Sequence, residues 1–243
     1  MENQKMKIEI WSDVICPFCY AGKRKFESAL VQFAHKEELS IEWKSFEIDI
    51  KIAERISPGM NIYQYLAQKR GVSYEESIAM HQITVDLAKS VGLEYNFERV
   101  VLTSSFDAHR VIQYAKTKNL ATEIIERICH AYFTEGKNIG NTGTLIELGK
   151  EVGLTEMEVR EALNNDMYAE NVRKDMEEAK EKNVRKVPSY ILNGKQHLIG
   201  IQSPEELLKT LEMAYAEWIQ KSQGASNNNL EGLVCSIEGG DCN

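Results

Sequence analysis

Apolar and polar residues alternate along Lys7-Ile8-Glu9-Ile10-Trp11, the two-residue period of a strand running to about Ser12. The period then lengthens. Phe26, Ala29, Leu30 and Phe33 recur at helical spacing, which predicts a helix to about Ala34. Between the two lies Cys16-Pro17-Phe18-Cys19. A second strand is expected over Ser40 to Asp49, with Ile41 and Trp43 on one phase and Phe46, Ile48 and Ile50 on the other. That change of phase calls for either a bulge or a strand that ends near Ser45. Strand, helix and strand in this order imply a parallel pair joined by a right-handed crossover.

From Ile52 to about Asp166 the pattern is helical throughout. Asn61 caps a run carrying Ile62, Tyr65 and Leu66 that stops at Gly71, and Ser73 with Glu76 forms a capping box for a helix ending at Gly92. Further helices are expected from Phe106 to Lys118, from Ala121 to Glu135, through Leu145 and Leu148 to Gly153, and after a second box at Thr155 and Glu158. A charged helix follows from Tyr168 to Asn183, then an apolar strand from Val187 to Leu192. Asn193-Gly194 is a two-residue hairpin signal, with Gln196 to Gly200 as the return strand. Ser203-Pro204-Glu205-Glu206 opens an amphipathic helix carrying Leu207, Leu211, Ala214 and Trp218. By composition Gly224 to Asn229 reads as a flexible linker, and a short tail beyond it holds Cys235 and Cys242.

Without the long helical stretch, the order is β–α–β followed by α–β–β–α. With Cys-x-x-Cys after the first strand and Val-Pro before the hairpin, this is an α/β chain with the thioredoxin fold. It divides into a discontinuous thioredoxin-fold domain over residues 5–52 and 167–222, an inserted all-helical module over 53–166, and a flexible C-terminal tail over 223–243.

Composition narrows the partners. The chain has 243 residues, 43% of them hydrophobic, and a formal net charge of −8. An acidic surface argues against nucleic acid or an anionic membrane as the main partner. No apolar run approaches the length of a membrane span, and the polar residues Met1 to Lys7 lead straight into a strand without a signal peptide. The expected compartment is therefore the cytoplasm, where a closely spaced cysteine pair beside a β–α pattern is more often catalytic than structural.

The chemistry at that pair follows from its place. Cys16 sits at a helix start, where unpaired N–H groups and the positive dipole end favour a thiolate. Pro17 fits the first turn because it has no N–H to leave unpaired. Cys19, three residues on, shares a face with Cys16 and falls on the buried stripe seven residues before Phe26. The expectation is an exposed attacking Cys16 and a sheltered resolving Cys19. Zinc is the competing use of such a pair. A zinc ribbon wants a second close pair, and Cys235 and Cys242 stand too far apart. No metal or organic cofactor is required.

These residues resemble the DsbA-like oxidoreductases of the thioredoxin superfamily, and within them the FrnE-like subgroup. The resemblance rests on Ser12-Asp13-Val14-Ile15-Cys16-Pro17-Phe18-Cys19-Tyr20-Ala21-Gly22-Lys23, on Ser105-Phe106-Asp107-Ala108-His109-Arg110, on the segment Ala131 to Gly140, and on Val187-Pro188-Ser189-Tyr190. It covers about residues 7 to 220. It implies a cis peptide before Pro188, facing Cys16, and a Val187 backbone that pairs with a substrate chain in β fashion. Pro17, Phe18, Val187, Pro188 and His109 are then the expected substrate-binding residues. An extra C-terminal pair occurs in the subgroup, which implies that Cys235 and Cys242 form an auxiliary redox pair; the bland alternative is a tail whose thiols do nothing. Lys186 and Ile201 depart from the family pattern beside Val-Pro and in the last strand, so substrate class does not carry over.

Other residues have quieter readings. His109 is either a ligand-orienting group or a satisfied structural histidine. Asp13 either opposes thiolate formation, relays a proton or only closes the turn. Cys129 is expected as a small buried hydrophobe, and Trp11 and Tyr20 as packing groups.

The function expected is thiol–disulfide exchange through Cys16 and Cys19 with a protein or small-molecule thiol or disulfide partner, glutathione or a thioredoxin system among the candidates. The alternatives are a glutathione-dependent isomerase or transferase on the same scaffold, and a non-enzymatic thioredoxin-like chaperone or interaction module.

Overall fold

A computed structural model describes the backbone of residues 5–228 and the side chains of residues 5–222. Strand β1 (Met6–Ser12) pairs in parallel with β2 (Leu39–Ser45), Met6 opposite Leu39 and Ser12 opposite Ser45. On its other side β1 pairs antiparallel with β3 (Ser189–Leu192), which pairs antiparallel with β4 (Gln196–Ile199). The sheet order is β2-β1-β3-β4. β2 stops at Ser45, so the phase change there is a strand end rather than a bulge. The hairpin turns through Asn193 (φ 52°) and Gly194 (φ 67°), two left-handed residues in succession, as the Asn-Gly pair demands. This is the thioredoxin arrangement expected from the element order.

Helix α1 (Pro17–Gln32) makes the crossover between β1 and β2. It packs with α10 (Pro204–Asn228) on one face of the sheet, where Ile8, Ile10, Phe26, Tyr190 and Leu211 join the main core. Trp11 and Ile191, the adjacent residues on those strands, point the other way. They meet Ala179 and Val184 in a smaller cluster under α9 (Asp166–Glu181). Asp175 of α9 fastens this layer, accepting hydrogen bonds from the Ser45 backbone N–H at 2.8 Å and from Gln113 at 2.6 Å.

Between β2 and α9 run α2 (Ile52–Arg55), α3 (Ile62–Arg70), α4 (Tyr74–Ser90), α5 (Phe106–Lys116), α6 (Ala121–His130), α7 (Thr142–Glu151) and α8 (Glu156–Asn164). The boxes at Ser73/Glu76 and Thr155/Glu158 form, and Asn61 makes a third with Gln64. Gly71 ends α3 in the left-handed conformation, at φ 67°. The run expected as one helix from Ala121 to Glu135 changes character after His130 and finishes as a five-residue π turn, Ala131–Glu135.

Over Gly224 to Asn228 the backbone departs from the expected flexible linker, because α10 continues through Asn228; Asn229 lies outside the described residues. Once a helix is under way each added residue gains a hydrogen bond without a new nucleation cost, so polar composition alone does not stop it. Cys235 and Cys242 lie outside the described residues. Among the described residues no helix is long and apolar enough to cross a membrane.

Candidate active site

β1 hands over to α1 through a turn closed by Asp13. The Cys16 N–H donates to the Asp13 carbonyl at 3.1 Å, and the Ile15 N–H donates to Asp13 Oδ1 at 3.3 Å. Cys16 is the N-cap residue in extended conformation (φ −93°, ψ 113°), and Pro17 occupies the first helical position. The Cys16 carbonyl already accepts the N–H groups of Cys19 (3.0 Å) and Tyr20 (3.3 Å), so the cysteine spacing is fixed by the first turn of the helix.

Cys16 is not the exposed group that its place at a helix end suggests. It is 5% exposed, hardly more than Cys19 at 3%. The cover comes from the far end of the sequence, because the loop before β3 brings the Val187 carbonyl within 4.0 Å of Cys16 Sγ. The Val187–Pro188 bond is cis, as the resemblance implies. Pro188 and Tyr190 lie directly against Gly22, where a Cβ would meet the Pro188 ring and the Tyr190 hydroxyl at 3.0 Å each. Phe18 is the side chain that faces out, at 41% exposure, while Pro17 is half-buried. Val187 is half-buried and Pro188 buried; of the five expected substrate-binding residues, Val187 lies at the Cys16 sulfur, Pro188 packs against Gly22, and Pro17 and Phe18 follow Cys16 in sequence.

The fifth does not face out. His109 is 2% exposed and points its Nε2 at Asp13 Oδ1, 3.2 Å away. Asp13 is fully buried, and its other oxygen accepts the Ile48 N–H at 2.7 Å. Asp13 thus closes the turn and also ties it to α5 and to the segment after β2. Glu47 lies beside this pair, its carboxyl pushed up by burial against the opposing pull of His109.

Cys19 sits behind Cys16. Burial pushes its thiol well up and the adjacent Cys16 sulfur adds to the push, while the Asp13 backbone and the Ser12 hydroxyl at the sulfur work the other way. Cys129 is buried as expected, its thiol donating to the Val14 carbonyl at 3.7 Å and pushed well up by burial. Tyr20 packs between helices and donates its hydroxyl to Glu126 at 2.6 Å; Trp11 donates to the Asp175 carbonyl at 3.2 Å.

Tyr95 carries no signal in the sequence, yet its hydroxyl donates to the Pro17 carbonyl at 2.7 Å. Its ring stacks on Tyr20 and on Phe133 of the π turn, at centroid distances of 6.0 and 4.6 Å. Through Tyr95 and His109 the helical stretch supports the cysteine turn from two sides. Lys186 is exposed and Ile201 half-buried. Among the described residues no three His, Cys, Asp or Glu side chains are placed to hold a metal ion.

The model of the DSBA-like thioredoxin domain family matches residues 7–212. A relative among curated proteins, the uncharacterized protein YwbO of Bacillus subtilis (strain 168), is 29% identical over 187 residues, or 76% of this chain and 86% of that one. Among solved structures, a probable DsbA oxidoreductase from Streptomyces coelicolor is 30% identical with a TM-score of 0.79, covering 87% of this chain and 91% of that one. The cytosolic disulfide reductase DsbM from Pseudomonas aeruginosa shares the fold at 16% identity and a TM-score of 0.61, covering 86% and 98%, and has also been solved with GSH (15% identity, TM-score 0.60, covering 86% and 99%).

Proposed function

We propose that this chain, which belongs to the DSBA-like thioredoxin domain family, is a thiol–disulfide oxidoreductase. The observation that carries the reading is the placement of Cys16 Sγ at the first turn of α1, 4.0 Å from the Val187 carbonyl, with Cys19 behind it. Cys16 attacks one sulfur of a substrate disulfide and expels the other as a thiolate, leaving a mixed disulfide. Cys19 then attacks Cys16, the substrate leaves fully reduced, and the two electrons it gained have come from the cysteine pair. The reverse sequence oxidises a substrate dithiol.

Val187 offers backbone for a substrate chain to pair with, and Phe18 offers an exposed apolar contact beside the sulfur. Residues 53–166 act in this reading as an insertion into the thioredoxin domain formed by 5–52 and 167–222. Glutathione is the small thiol that fits best, supported by the similar fold of DsbM, and the cytoplasm is the compartment assigned with it. Cys235 and Cys242 enter as an auxiliary pair that exchanges with Cys16.

Insulin reduction followed by turbidity tests the reading. Wild type should catalyse it and Cys16→Ser should not. Glutathione-dependent turnover that survives Cys19→Ser would replace it with the isomerase or transferase reading, and client binding indifferent to both cysteines would replace it with a chaperone. The reduction potential of the pair sets the direction of electron flow.

A further inference from the structure

The Tyr95 hydroxyl donates to the Pro17 carbonyl at 2.7 Å, and its ring is set by Phe133 and Phe97, at centroid distances of 4.6 and 5.7 Å. Burial pushes the phenol far up, with Cys129, Cys16, Tyr20 and Cys19 adding to the push, so the hydroxyl keeps its proton and stays a donor. The carbonyl that takes this bond belongs to the same peptide unit as the Phe18 N–H. Pro17 has no N–H, and those of Cys19 and Tyr20 are taken up by the Cys16 carbonyl at 3.0 and 3.3 Å. Among the described residues, the first-turn amide left without a backbone acceptor is therefore that of Phe18. Cys16 is the N-cap, and an N-cap side chain reaches the amides at the second and third helical positions, here Phe18 and Cys19. As a thiol Cys16 makes no such bond, and its Sγ points at the Val187 carbonyl 4.0 Å away. As a thiolate it can only accept, and the Phe18 N–H is the amide free to donate.

We propose that Tyr95 is a positioning residue for the exchange reaction: by polarising the Pro17–Phe18 peptide, its hydroxyl strengthens the Phe18 N–H as the donor to the Cys16 thiolate. The proposal rests on the oxidoreductase reading above. A hydrogen bond to an amide oxygen draws electron density from the amide nitrogen and leaves its hydrogen more positive, so bonds at the two ends of one peptide reinforce each other. The hydroxyl also fixes the plane of that peptide, and with it the direction of the N–H. Tyr95 comes from the loop between α4 and α5, so the helical stretch sets the reactivity of a cysteine that it does not carry. The other titratable groups around Cys16 and Tyr95 are Cys19 and Tyr20 of α1, Cys129 of α6 and Tyr190 of β3. Burial pushes all four up. Asp13 and its partner His109 complete the set at the turn, and the substitutions below touch neither.

The test reads the Cys16 thiolate directly in the full-length chain, with Cys235→Ser and Cys242→Ser so that the site reports alone. The ultraviolet absorbance of the thiolate is followed against pH in the reduced protein, and the same chain carrying Cys16→Ser serves as the blank. Tyr95→Phe keeps the stacked ring and removes only the hydroxyl. Polarisation of this kind is about 10–30% of a bond, and bonds to a charged group are the strong ones, so the ratio of thiolate to thiol should fall roughly twofold at each pH. The titration should move to higher pH with its amplitude unchanged. Difluorotyrosine placed at residue 95 is a stronger donor of nearly the same shape. It should move the titration to lower pH, and it carries the test if the phenylalanine variant does not fold. Shifts of opposite sign are the mark of the hydroxyl as donor, which a merely structural group would not give. Titrations that superimpose on the wild type overturn the proposal, as do shifts of the same sign in both variants. A wild-type chain that forms the Cys16 thiolate yet does not reduce insulin ends the oxidoreductase reading itself.

Discussion

Gly22 of α1 and Pro188 of the loop before β3 stand so close that a methyl group on Gly22 would lie 3.0 Å from Pro188 Cγ. Glycine inside a helix costs roughly 1 kcal/mol relative to alanine. Here it lets the first turns of α1 approach the loop whose Val187 carbonyl lies beside Cys16. Helix propensity and site assembly are opposed at this residue.

Gly22→Ala should therefore lower activity more than stability. Crowding against Pro188 and Tyr190 costs about 1–3 kcal/mol and the better helix former returns about 1, so a net loss of up to about 2 kcal/mol is expected in urea unfolding. The added methyl pushes the Val187 loop away from Cys16, so insulin reduction should fall by more than the loss of folded protein explains. A variant with unchanged activity would show that the loop spacing does not matter.

Cys16 should be the first thiol alkylated. The Cys19 and Cys129 thiols are buried and pushed well up, and the fraction of thiolate governs alkylation. Brief iodoacetamide treatment of reduced protein near pH 6, followed by mass mapping, should put the label on Cys16. Earlier label on Cys19 or Cys129 reverses the roles of attacker and resolver.

Asp49 anchors the segment after β2 to the helices that follow. It accepts from the Tyr65 hydroxyl and pairs with Arg55 at 2.6 Å and Lys69 at 2.7 Å. Burial works against its charge, but Lys69 and Tyr65 outweigh it and hold the carboxyl at about 2. The folded value lies below the ordinary one, so this stability is fully present above about pH 4 and is lost as pH falls through about 2. Asp49→Asn should cost on the order of 1–2 kcal/mol at pH 7, since its cationic partners are part-exposed. Urea curves taken from pH 7 downward should converge; a gap that stays constant with pH would mean that shape, not charge, is lost.

The auxiliary-pair proposal predicts a trapped bond. Exchange runs through a mixed disulfide, so mild oxidation of Cys19→Ser should join Cys16 to Cys235 or Cys242. An encounter within one chain gives a yield independent of protein concentration. Bonds between Cys16 of two molecules, and nothing else, would leave the tail out of the reaction.

The parts of this molecule that could be read from its sequence are those written within a few residues. Ser73 with Glu76, Thr155 with Glu158 and Asn193 with Gly194 each specify a local geometry, and all three form. Cys16 and Cys19 are placed by one helical turn. What covers Cys16 is 171 positions away, so a helix-start argument could not foresee its burial. The Asp13–His109 pair spans 96 positions and Tyr95 reaches Pro17 across 78; neither leaves a periodic trace. The four-residue α2 is too short to show a stripe. The π turn after His130 continues the apolar spacing of α6 and cannot be told from it by pattern.

Chain order gives the Cys16 site a history. β1 and the start of α1 carry both cysteines within the first twenty residues, whereas the loop that covers Cys16 precedes β3 at Ser189. At a synthesis rate of about 5–20 residues per second, on the order of ten seconds or more separates the emergence of the nucleophile from that of its cover. Throughout that interval the nascent chain presents a bare dithiol to its surroundings. A cell that made this protein under oxidising conditions would meet the pair before its own fold could shelter it, so the redox state in which the site is born is set by the compartment of synthesis.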